Sequence, residues 1–149
     1  MDNYHQELEQ RVWSRVHGSE DTDPVSALRA RIMEEATEIA THRMLLRQLP
    51  DREKALLRKL IDEELSAVAR LRGIHLLITG KPPVLRTSPP PAEPPETALR
   101  KSYGKKLRLA AEYDAISGDS QYGHIFSALG QQAREHCHIL LEILGNLHR

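Results

Sequence analysis

Residues 81–95, KPPVLRTSPPPAEPP, hold seven of the chain's nine prolines, and no other stretch restricts the fold as much. Proline fixes φ, lacks an amide donor and pushes its predecessor toward extended backbone, so this segment cannot be helix. It reads as a semi-rigid, polyproline-type connector that at about 3.1 Å per residue reaches about 45 Å, enough to run the length of a helix. Such a segment either links two domains or carries the chain from one end of a single domain to the other. Each flanking piece holds only a pair of helical segments, too little to close a good core separately, so the second use is expected.

Hydrophobic spacing on both sides of the connector is helical, which predicts an all-α chain. The first long helix is expected to start after Asp23 as cap, with Pro24 at its first position. Leu28, Ile32, Ile39 and Leu46 form its stripe, and Glu35 and His42 share the line. A turn at Leu49, Pro50 and Asp51 follows, with Asp51 read as the next cap. The second helix then shows Leu57, Leu60, Ile61, Val68, Leu71 and Ile78 on one face and stops at Gly80. Steps of about 100° per residue place Glu64 and His75 inside that stripe. A third helix, from about Thr97 to Ile116, is read with Leu99, Tyr103, Leu107 and Ala110 inward. After the loop SGDSQYG a fourth turns Ile125, Leu129, Ala133, His136, Leu140, Ile143 and Leu147 inward. Ahead of all these, Leu8, Val12, Trp13 and Val16 mark a short amphipathic helix within 1–22, with GSEDTD as a flexible turn, leaving 23–149 for the bundle.

Two segments inside the stripes look like damaged copies of one metal-binding helix. LLRKLIDEELSA, 56–67, keeps the glutamate of an ExxH motif as Glu64 but has Ala67 at the histidine position. IFSALGQQAREH, 125–136, keeps the histidine as His136 but has Ala133 at the glutamate position. Glu135 and His138 also make an ExxH, yet the helical angle puts them on the outer face. Two helical hairpins joined by a long crossover are the topology of ferritin-like bundles, and the residues resemble the small rubrerythrin-type members of that superfamily. The metal helices of those domains look like LFxxLxxxExxHAxxL. Leu57, Leu60 and Glu64 match in the second helix, and Ile125, Phe126, Leu129, His136 and the small Cys137 match in the fourth. The family carries a further glutamate about 28 to 30 residues before each ExxH glutamate, and Glu35 stands 29 before Glu64. The resemblance spans roughly 26–148 and implies an up-down, crossover, up-down four-helix bundle, with the crossover at 81–97 between helices 2 and 3.

It further implies a carboxylate-bridged di-iron or di-manganese centre of four glutamates and two histidines, because two hard divalent cations need several anionic oxygens around them. The third helix does not supply its share. Counting 29 back from Ala133 reaches Gly104, flanked by Tyr103 and Lys105, while Glu112 and Asp114 lie two to three turns further on. That gap argues against a full di-iron centre. What remains is Glu35, Glu64 and His136, two carboxylates and one histidine for a single Fe, Zn or Mn ion, with Glu38 and His42 as outer members. In the competing reading His136 sits between two buried carboxylates, stays protonated, and the group fixes helix register without metal. His75 is read as a hydrogen-bonded core histidine. The function expected is a degenerate ferritin-like protein that binds at most one divalent ion. The alternative is a structural or interaction bundle, dimeric through its N-terminal helix and an outer face. No residue is assigned a catalytic role.

Partners and compartment follow from charge and cysteine usage. Lysine plus arginine equals aspartate plus glutamate at 21 each, so no global positive field exists to hold nucleic acid. Charges interrupt every apolar run well short of the roughly eighteen residues of a membrane span. A single cysteine, Cys137, and a start, MDNYHQELEQ, without a basic then apolar run fit a reducing cytoplasm. There is no CxxC pair, hence no rubredoxin module, and redox activity would need an external electron donor. SPPPAEPP has the composition of a docking motif, but a fold that needs a crossover there uses it structurally.

Overall fold

The computed structural model describes residues 24–118 and 121–148, and these contain four helices and no strand. The helix and turn expected within 1–22, and the cap Asp23, lie outside the described residues. Helix α1 is Pro24–Leu46, α2 is Asp51–Thr79, α3 is Pro95–Ser117 and α4 is Gly123–Asn146. None of them is long and apolar enough to cross a membrane.

The ends of these helices follow their local chemistry. Asp51 does not cap α2; Pro50 occupies that position in extended backbone, and Asp51 joins Glu53 in the first turn, where negative charge meets the free amides. Gly80 stops α2 in the left-handed region at φ 73°, its N–H returning 2.8 Å to the carbonyl of Leu76. Helix α3 starts two residues before the expected Thr97, because Pro95 fits the first helical position, where its missing amide costs nothing. Between α2 and α3, residues 80–94 carry neither helix nor strand.

Packing runs around a ring: α1 against α2, α2 against α4, α4 against α3, and more lightly α3 against α1. One core results, with Leu28, Ile32, Leu57, Leu71, Leu99 and Leu140 all buried. Each such side chain contributes about 1.5–3 kcal/mol of burial. Tyr113 and Phe126 stack between α3 and α4 with ring centroids 6.1 Å apart.

The expected stripes of α1, α2 and α4 are buried except at their ends, where Leu46, Ile125 and Leu147 are half-buried. Helix α3 is turned differently. Leu107 is 49% exposed and Tyr103 only half-buried; the inward residues are Leu99, Ser102, Lys106, Leu109, Ala110 and Tyr113. Gly104, the position reached by counting back from Ala133, faces solvent. Leu99, Ser102, Lys106, Leu109 and Tyr113 follow alternating steps of three and four, a valid helical stripe that a buried lysine disguises.

Candidate metal centre

Three helices bring polar groups together in the middle of the ring: Glu38 and His42 from α1, Glu64 from α2, and Ser102 and Lys106 from α3. Each is at most 3% exposed. The pairs on α1 and α3 are four residues apart, so each pair lies on one helical face. Burial of this many polar groups is tolerable only when they satisfy one another.

They do so through His42. Its Nδ1 lies 2.8 Å from Glu64 Oε1, and its Nε2 lies 2.9 Å from Ser102 Oγ and 3.3 Å from Glu38 Oε2. Ser102 donates its hydroxyl to Glu38 Oε2 at 2.8 Å. Each carboxylate turns its second oxygen to a lysine: Lys105 Nζ is 2.8 Å from Glu38 Oε1, and Lys106 Nζ is 2.9 Å from Glu64 Oε2. The Lys106 contact is an ion pair without hydrogen-bond alignment. Next to it, Arg31 pairs with Glu34 at 2.9 Å and with Glu112, and Arg108 bridges the same two glutamates, closing the gap between α1 and α3.

Electrostatics follow from burial set against these partners. Burial alone would push Glu38 upward, but His42, Lys105 and the Ser102 hydroxyl outweigh it and hold the carboxyl below its usual range. Burial would likewise strip Lys106 of its proton, yet the Glu64 and Glu35 carboxylates overcome it and raise the ammonium. Glu35 has less help. Burial dominates over nearby Lys106 and lifts its carboxyl to about 7.

The single-ion set expected from the sequence is only partly assembled. Glu35, Glu64 and His136 are all buried. His136, however, turns Nε2 to Glu63 Oε1 at 2.9 Å, and its Nδ1 has no hydrogen-bond partner among the described residues. It does not stand protonated between two buried carboxylates. Burial, with the positive charges of Lys106 and Lys59 adding to it, drops its pKa to about 2, so the ring is neutral and donates from Nε2. The group whose ligand atoms converge is Glu38, His42 and Glu64, within 4.8 Å of one another. Glu38 and His42, expected as outer members, thus stand with Glu64 in that group, while Glu35 and His136 are not in it. His75 is a hydrogen-bonded core residue, its Nδ1 donating to the Lys81 carbonyl at 2.9 Å. Glu135 and His138 are exposed.

Residue chemistry limits what this centre can do. Ser102, His42 and Glu64 align like a nucleophile, base and orienting carboxylate. Ser102 nevertheless commits its hydroxyl hydrogen to Glu38 and sits inside a helix, where the amides are spent in helical bonds and none is free to stabilise an oxyanion. A dinuclear metal site does not fit either. The third helix contributes Ser102 and Lys106 to the centre and no carboxylate, and ammonium groups hold one oxygen each of Glu38 and Glu64. One ion does fit: two carboxylates and an imidazole are an ordinary donor set for a divalent metal.

Lys106 and Ser102 stand outside the stripe expected for the third helix. The spacing of Lys106 from Leu99 and Tyr113, seven residues either way, is the one local signal for its inward position, and an apolar count passes over it because an inward lysine is costly until its carboxylate partners are known. Comparisons of the chain with protein-family models, curated proteins and solved structures find no match.

Proposed function

We propose that this chain is a ferritin-like bundle, up-down, crossover, up-down, whose degenerate centre takes a single Fe, Zn or Mn ion on Glu38, His42 and Glu64. The observation that carries the reading is the convergence of those three buried donors. The ring order of the helices supports the bundle topology, with the proline-rich segment as its crossover. The lone, buried thiol of Cys137 fits a reducing compartment such as the cytoplasm. Titrating the purified chain with Co²⁺ should give a visible spectrum that saturates near one ion per chain and is lost in Glu64→Gln and His42→Gln. Uptake below one-tenth of an ion per chain at saturating metal would overturn the proposal.

A second reading is favoured by the two lysine contacts: the centre is a metal-free polar network that fixes how α1, α2 and α3 pack. It expects the melting temperature to be the same with EDTA and with excess Zn²⁺. The single-ion reading expects excess Zn²⁺ to raise the melting temperature, the folded state gaining RT ln(1 + [L]/Kd), about 2.7 kcal/mol at one hundred times Kd.

A further inference from the structure

We propose that Lys105 is a displaceable latch on the path by which a divalent cation reaches the buried centre, an inference that rests on the single-ion reading of Glu38, His42 and Glu64. A cavity of about 80 Å³ lies between α1, α3 and the proline-rich connection, with Thr37, Thr41, Pro91 and Glu93 among its walls. Glu38, Ser102 and Lys105 also line it, so it touches two members of the centre. That volume is far below the roughly 300 Å³ of a drug-sized ligand site, but it has room for a few waters or a partly hydrated ion.

The two lysines are held by similar distances and differ in where they can go. Lys106 is 2% exposed, and leaving Glu64 would strand its ammonium in the core. Lys105 has a side chain 45% exposed, so its ammonium can swing into water while Glu38, at 4%, stays behind. Glu38 keeps the Ser102 hydroxyl and His42 on its other oxygen when the ammonium leaves, so its carboxylate is not stranded. Breaking the Lys105 pair uncovers a buried carboxylate beside the cavity, the most favourable position for an incoming cation. Coordination then takes the place of the Lys105 ammonium on Glu38. Two carboxylates, the remaining Lys106 ammonium and one divalent ion leave a single positive charge, whereas a second divalent ion would leave three; the centre therefore holds one ion. Lys101 lines the same cavity but pairs with Glu93 at 2.8 Å, away from the centre. It provides a control for general loss of positive charge.

Stopped-flow Co²⁺ uptake by the full-length chain tests the latch. Lys105→Met should speed uptake at least tenfold with stoichiometry unchanged near one, Lys105→Arg should restore slow uptake, and Lys101→Met should stay within twofold of wild type. Far-UV circular dichroism and melting temperature check that each variant folds. Equal rates in wild type and Lys105→Met, or equal acceleration by Lys101→Met, would overturn the latch and leave the single-ion reading standing. No Co²⁺ uptake by any of these proteins would overturn both.

Discussion

Single side chains decide the character of the centre, and Lys106 decides most. Its ammonium is the only fully buried cation found on Glu64 among the described residues. Lys106→Met should lower stability by about 3–5 kcal/mol, because the buried Glu64 carboxylate loses its ammonium partner and keeps only His42. Excess Zn²⁺ should recover part of that loss in a thermal melt; no recovery would favour the metal-free network. Glu35 and His136 make a pH prediction with opposed signs. Glu35 is raised from 4.5 to about 7, so its contribution is fully present below pH 4.5 and lost as pH rises through 7. His136 is depressed from 6.5 to about 2, so its contribution is present above pH 6.5 and lost as pH falls toward 2. Between pH 4.5 and 6.5 the two slopes cancel, and wild-type stability is expected to be nearly flat there. Glu35→Gln removes one slope, and urea melts of that variant should show stability climbing with pH by up to about 1.4 kcal/mol per unit across the same window. A variant as flat as wild type would contradict this account.

Helix by helix, the ends and stripes were written in local sequence, and α3 shows where local reading fails. Gly80 was legible as a stop because a left-handed residue is needed to close α2, and its φ of 73° meets that need. Gly80→Ala should cost about 1 kcal/mol, the price of a Cβ in that region. Gly104 lies mid-helix in α3, exposed and with open space where a Cβ would stand, so Gly104→Ala should stabilise by about 0.5–1 kcal/mol through helix propensity. Denaturant midpoints moving in opposite directions in these two variants would check both. Counting back 29 residues from Ala133 reaches the exposed Gly104 and no inward position: a fixed offset assumes equal turns, and the hairpin connections differ, 47–50 against 118–122. In α1 and α2 the same offset does reach an inward glutamate, Glu35.

At the scale of the whole molecule, the connection at 80–94 separates two hairpins that share one ring of packed helices. If it serves as a bundle-length crossover, replacing 82–93 with a four-residue Gly-Ser turn should leave helix content largely intact but abolish a single cooperative unfolding transition, since α2 spans about 43 Å and a short turn cannot return the chain along it. Retention of one sharp transition would argue for a different connectivity. Sequence by itself determined the helices, the break between the hairpins, and the burial of Glu35, Glu38's neighbour His42, Glu64, His75 and His136. Those properties depend on the period of one helix and on local backbone chemistry, which need no knowledge of a neighbour. Tertiary structure alone decided the pairings: His136 with Glu63 rather than Glu64, His42 between Glu64 and Ser102, and Lys106 on Glu64. Rotation and register between helices set those distances, and both are fixed by the packing of the entire apolar core, so the partner of a buried charge is a property of the assembled bundle.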